Sequence, residues 1–224
     1  MKKKIHDKPY AQCLRLSTFL IVSCIALFFY FYCDKAVSLY FSPHVDFFAP
    51  VTGKFAVLFK RYYIIPIVSF FFFSSFFIKK LHPYRYQILM LLLMLVFGQI
   101  LLLVLKTSIG RARPYMFLNQ GIDGFEHFSR TRDFMSFPSG HTFNCMILIG
   151  FIALFFARYQ LWILALGLAL SFMRVIALQH YLSDWFYTSY IALCFIGLSY
   201  RFVAVCSQFP KLRFLSRLVD DKHA

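Results

Sequence analysis

The sequence predicts an all-α fold, a bundle of six transmembrane helices, from its oil content, its spacing of apolar runs and its charge balance. Of 224 residues, 60% are hydrophobic and 21% aromatic, with 31 Phe. A soluble domain of this length leaves about half its residues facing water, so this much apolar surface needs lipid as its solvent. Only 9 residues are acidic against 24 Lys and Arg, a formal net charge of +15. In a chain with several spans, that excess fits basic loops that fix topology and meet anionic headgroups, rather than a nucleic-acid surface.

The runs follow one another along a single domain, residues 1–224. A bilayer crossing takes about 20 helical residues. The first run, Leu16–Cys33, follows the basic start "MKKK" and ends in "LFFYFYC". Although "AVS" (Ala36 to Ser38) resembles a cleavage site, that aromatic end reads as a retained anchor. Tyr62–Ile78 is the second run, and its "SFFFFSSFF" reads as a lipid-facing helix. Ile88–Leu105 is the third. Thr142–Ala157 and Leu161–Leu178, parted only by Arg158 to Gln160, predict a tight helical hairpin. Trp185–Ser207 is the sixth.

Counting Lys and Arg in alternate loops orients the bundle. The N-terminal tail, the Lys79–Tyr86 loop, Arg158 and the tail from Arg201 hold fourteen of the 24. Both termini are therefore expected in the cytoplasm, with the Lys106–His141 segment outside. Cys24, Cys145, Cys194 and Cys206 lie in apolar runs and Cys13 and Cys33 flank another, so they read as small buried hydrophobes, not disulfides or metal ligands.

Three polar clusters interrupt the oil, all on that outer face. In "KTSIGRARPY", Lys106 ends the third run, and Pro114 disfavours helix at Arg113, which should reach back from extended chain. In "FMSFPSGHTFNC", Pro138 suits a helix's first turn, Ser139 satisfies free amides and Gly140 admits a close approach to the backbone. The helix end beginning there, with His141, favours phosphate. In "RVIALQHYLSD", His180 and Asp184 are four apart, so a shared helical face would let the carboxylate hold one imidazole nitrogen. Arg174 converges with His180 only if the chain unwinds after the fifth run. Three cations and a helix N-terminus make a dianion site, and two histidines with a carboxylate supply a nucleophile and an acid.

The pattern Lys106-x6-Arg113-Pro114, Pro138-Ser139-Gly140-His141 and Arg174-x5-His180-x3-Asp184 resembles the type 2 phosphatidic acid phosphatase (PAP2) superfamily. That superfamily also holds vanadium haloperoxidases and glucose-6-phosphatase. The resemblance covers residues of about 55–205, with one departure: Met173 stands where the family usually has a small residue, a change expected to affect packing more than chemistry. It implies His180 as nucleophile, Asp184 as its orienter and His141 as general acid. Lys106, Arg113, Ser139, Gly140 and Arg174 would bind the phosphoryl oxygens.

The expected activity is hydrolysis of a lipid phosphate or diphosphate at the extracytoplasmic surface of a bacterial inner membrane, through a phosphohistidine. Phosphatidic acid, phosphatidylglycerophosphate, polyprenyl diphosphate and lipid A phosphate all fit such a site. The expected partners are the bilayer and that lipid, with no nucleic acid and no obligatory protein partner. The scheme calls for no metal and no other cofactor. Two rivals remain: a lipid phosphotransferase, told apart by following radiolabelled phosphate, and an anion-binding or transport protein without turnover.

Overall fold

A computed structural model of the chain describes residues 8–206. Its helices are α1 (Lys8–Cys13), α2 (Leu16–Phe28), α3 (Asp34–Phe41), α4 (Val45–Leu58) and α5 (Arg61–Ser74), followed by α6 (Arg85–Ile109), α7 (Pro114–Gln120), α8 (Gly140–Ala153), α9 (Gln160–Ile176) and α10 (Leu182–Cys206). Among the described residues there is no strand, only an isolated bridge between Arg111 and Phe125.

Among the described residues, three stretches are long and apolar enough to cross a membrane: Leu16–Ser74, His82–Ile109 and Leu182–Val203. The first is interrupted rather than continuous. A five-residue π-helical turn, Phe29–Cys33, joins α2 to α3, and a short 3-10 turn, Ser42–His44, precedes α4. Residues 34–58, unassigned between the first two apolar runs, are thus mostly helical. At 25 residues each, α6 and α10 rise about 37 Å, which exceeds a hydrocarbon core. The 14 residues of α8 rise only about 21 Å. The hairpin joining α8 to α9 is also looser than expected, since α8 stops at Ala153 and a 3-10 turn at Ala157–Tyr159 leads into α9. Ser207, and the basic tails at 1–7 and 207–224 that weighed in the orientation count, lie outside the described residues.

The shortness of α8 follows from its place. Ten of its 14 residues are buried, on every side of the cylinder, as in a helix walled in by other helices. Phe143, Met146 and Ile147 meet Leu95 from α6 and Ile196 from α10 in one apolar core. Lipid supplies little hydrophobic drive between helices, so contact relies on close fit. Gly98 shows it: a Cβ there would stand 2.4 Å from the Phe143 ring. By contrast, the Phe-rich α5 turns Phe70 and Phe73 outward, and Phe77 beyond its end is 87% exposed, as a lipid-facing helix should. The N-terminal helices are part of the same body: Tyr10 donates to the Gly150 carbonyl at 2.6 Å, and Tyr190 donates to that of Cys13 at 2.7 Å.

Candidate active site

Four helix ends meet at one end of the bundle: the C-terminal ends of α6 and α9, and the N-terminal ends of α8 and α10. The loop from Gly110 to Ser139 closes over them and is pinned by its own backbone. Gly110 ends α6 with φ +62, a left-handed position where a Cβ would stand 1.6 Å from the Glu126 carbonyl oxygen, so glycine is required. Beyond it, Ala112 N donates to Gly124 O, Arg113 N to Asp133 O and Ser136 N to Arg111 O, each at 2.9 Å.

That loop positions two cations. Lys106, in the last turn of α6, donates to the Met135 carbonyl at 3.0 Å. Arg113 is extended (φ −84, ψ 156), as the following proline dictates, with Pro114 opening α7. Its Nε donates to Arg132 O at 2.9 Å and Nη1 to the Gln179 side-chain oxygen at 2.8 Å. Gln179 lies in the turn between α9 and α10, so Arg113 ties the loop to the third cluster.

The start of α8 differs in detail from the sequence expectation. Pro138 stands before the cap, and the helix begins at Gly140 with Ser139 as N-cap. Pro138 is excluded from the first turn because the N-cap must stay extended, and Ser139 takes that place at ψ 112. Ser139 is fully buried; its hydroxyl accepts from Thr142 N at 3.4 Å and Thr142 Oγ1 at 2.9 Å, and its own amide donates to Thr188 at 3.0 Å. The amides left to meet an anion at this helix end are therefore those of Gly140 and His141. A Cβ on Gly140 would meet nothing within 4 Å, so open space faces the backbone there.

After Arg174 the chain unwinds. Helix α9 ends at Ile176, Leu178 takes φ +53, and α10 starts at Leu182. His180 is on the turn and almost wholly buried. Its Nδ1 lies 2.6 Å from the Ser136 carbonyl oxygen. A carbonyl only accepts, so Nδ1 carries the proton and Nε2 keeps its lone pair. Burial above all, then the charges of Arg113, Lys106 and Arg174 and the ring of His141, hold His180 well below its ordinary pKa of 6.5. The ring is neutral at neutral pH.

Asp184 does not hold His180, which corrects the i, i+4 expectation. The two residues share no helix, because α10 begins between them. Asp184 sits in its first turn, and Oδ2 reaches back to Tyr181 N at 3.0 Å, half of a capping box. The same oxygen accepts from Ser136 Oγ at 2.6 Å, while Oδ1 pairs with Arg111. Asp184 thus reaches the imidazole indirectly, through the residue whose carbonyl sets the tautomer.

Sequence reasoning missed Arg111, Asp34 and Ser136. Arg111 Nη2 pairs with Asp34 at 2.6 Å, and its guanidinium lies 4.9 Å from the Tyr30 ring centre and 4.3 Å from that of Tyr181. Burial works against this charge more than any other effect, but Asp184 and Asp34 together turn the net shift upward. One signal was legible: a carboxylate at the end of an apolar run, Asp34 in "FYCDKA", is costly unless paired.

Three buried polar atoms among the described residues have no hydrogen-bond partner: His141 Nε2, Arg174 Nε and Tyr181 Oη. Tyr181 uses its ring beneath Arg111. The other two belong to the expected general acid and to one of the expected phosphate-binding residues, and a phosphate ester between them would give both a partner. No group of three His, Cys, Asp or Glu side chains suited to a metal occurs among the described residues.

Comparison with known proteins follows the same line. The chain is similar to lipid A 1-phosphatases of Rhizobium etli and Rhizobium johnstonii, 40% identical to each over 89 residues. Those residues are 40% of this chain and 38% and 36% of the two relatives, so the match spans under two fifths of either. No solved structure matches. The PAP2 superfamily pattern matches residues 87–207, more than half the chain, and that stretch contains Lys106, Arg113, the Pro138–His141 turn, Arg174, His180 and Asp184: the chain belongs to the PAP2 superfamily.

Proposed function

We propose that this protein is a lipid phosphatase of a bacterial inner membrane, working at the periplasmic surface with both termini in the cytoplasm. The observation that carries the reading is the pair of orphaned, buried nitrogens, His141 Nε2 and Arg174 Nε, beside a His180 held as the Nδ1–H tautomer. Nε2 of His180 attacks phosphorus as the bond to the lipid oxygen breaks. His141 gives that oxygen its proton. Water then attacks the phosphohistidine, His141 takes up its proton, and phosphate leaves with His180 restored. Lys106, Arg113, Arg174 and the amides of Gly140 and His141 stabilise the equatorial oxygens, usually the largest contribution to such a reaction.

The similarity to lipid A 1-phosphatases makes the 1-phosphate of lipid A the first substrate to try. Purified protein in detergent, given ³²P-labelled lipid A, phosphatidic acid, phosphatidylglycerophosphate and polyprenyl diphosphate, is expected to release inorganic phosphate, fastest from lipid A. Label passing to a second lipid instead would establish the phosphotransferase reading. Binding without turnover on every substrate would overturn both.

A further inference from the structure

The superfamily match begins at residue 87, yet one residue wired to the nucleophile lies far before it. Asp34 is the first residue of α3 and is 1% exposed. Its Oδ1 accepts from the backbone amide of Ser183 at 2.8 Å, one of the otherwise free donors in the first turn of α10. Its Oδ2 accepts from Arg111 Nη2 at 2.6 Å and from the Ser183 hydroxyl, which in turn accepts from Arg111 Nη1 at 2.8 Å. Arg111 Nη1 also reaches Asp184 Oδ1. One guanidinium therefore bridges two carboxylates, its plane held between the Tyr30 and Tyr181 rings.

From Asp184 the chain of contacts continues without a gap. Asp184 Oδ2 accepts from the Ser136 hydroxyl, the Ser136 amide donates to the Arg111 carbonyl, and the Ser136 carbonyl accepts from His180 Nδ1. Ser136 is fully buried and tied at side chain and backbone. Its carbonyl has one direction available, and the His180 ring follows it.

We propose that Asp34 is a positioning residue for phosphoryl transfer: through Arg111 and Asp184 it fixes Ser136, and Ser136 fixes the tautomer and aim of His180. The α2–α3 segment, outside the matched residues, is then part of the catalytic apparatus and not only an anchor. This rests on His180 being the nucleophile.

Misaiming a reacting group by about 1 Å costs on the order of 10²-fold in rate. Asp34→Asn in the full-length protein is expected to lower kcat on a lipid phosphate by about that much. KM should stay near the wild-type value, because Asp34 touches none of the residues assigned to the phosphoryl oxygens. In the double variant with Asp184→Asn, no further loss should follow, since both act on one element. Unchanged kcat, a loss confined to KM, or losses that multiply would each overturn the proposal. If the Asn variant is recovered unfolded, Arg111→Lys decides: a lysine keeps the charge but lacks the fork that bridges two carboxylates. It is expected to lose kcat with a native melting profile, and wild-type kcat would sink the idea. An inactive wild-type protein, or an active His180→Ala variant, marks instead the failure of the site reading itself.

Discussion

Replacing His180 with alanine is expected to abolish phosphate release from every substrate, with a loss on the order of 10⁶-fold, the scale on which losing a covalent nucleophile costs other enzymes. That corresponds to about 8 kcal/mol of barrier. The effect should be this large because the neighbouring groups have other tasks, His141 that of the leaving group's proton. Lys106 and Arg113 are committed as donors to backbone carbonyls, and Asp184 is engaged by Arg111, Ser136 and the Tyr181 amide. The variant should still fold, since among the described residues alanine forfeits one side-chain hydrogen bond, to the Ser136 carbonyl. Labelling with ³²P-substrate and acid–base stability of the trapped phosphoenzyme check the assignment: a base-stable, acid-labile adduct in wild type and none in the variant. Undiminished turnover by His180→Ala would remove the covalent mechanism.

His141→Gln should show a dependence on the leaving group instead. A lipid alkoxide is strongly basic and must be protonated as it departs, a contribution of about 10²–10⁴-fold. A nitrophenolate leaves without help. The buried, unpartnered His141 Nε2 is placed for that proton, and glutamine supplies a hydrogen bond but no acid. The variant is therefore expected to lose about 10²–10⁴-fold on a lipid phosphate and far less on nitrophenyl phosphate. Single-turnover measurement of the first step is needed, because the role proposed for His141 extends to the later attack of water. Equal losses on both substrates would assign His141 to phosphate binding.

Much of this site is legible in the sequence, because its parts are local. Pro114 dictates extended backbone at Arg113, Ser139 caps α8, and the spacing from Arg174 to His180 demands the unwinding found at Leu178. The same holds for α6, α9 and α10, each of which holds an apolar run of the kind that marks a helix. What stayed hidden depends on distance or on where a helix starts. Asp34 and Arg111 are 77 residues apart and nothing local pairs them. The spacing of His180 and Asp184 suggested direct contact, but the start of α10 at Leu182 turns the carboxylate back to its own cap. Helix α4 escaped notice because Pro50, Gly53 and Lys54 break its apolar pattern, and a proline within a helix ordinarily argues against one.

The π-helical turn at Phe29–Cys33 acts as a vernier. A π turn closes its hydrogen bonds one residue later than an α turn, so it holds one residue more than the ladder needs. In an α-helix each residue accounts for about 100° of rotation. The wide turn absorbs that rotation for its extra residue. Deleting one residue of the turn therefore lets the helix close in α register with Asp34 still facing Arg111. One residue added to the plain helix beyond it would instead swing Asp34 round by that angle. Phe31, 71% exposed toward lipid, is the residue to remove, because Phe29 packs edge-on against Phe186 and Tyr30 covers Arg111. A Phe31 deletion is expected to leave phosphate release near wild type, as Phe31→Ala does, whereas one alanine inserted between Cys33 and Asp34 is expected to reproduce the kcat loss of Asp34→Asn. In this anchor helix the wide turn is slack of one residue, so the direction of Asp34 tolerates a loss there and not a gain beyond it.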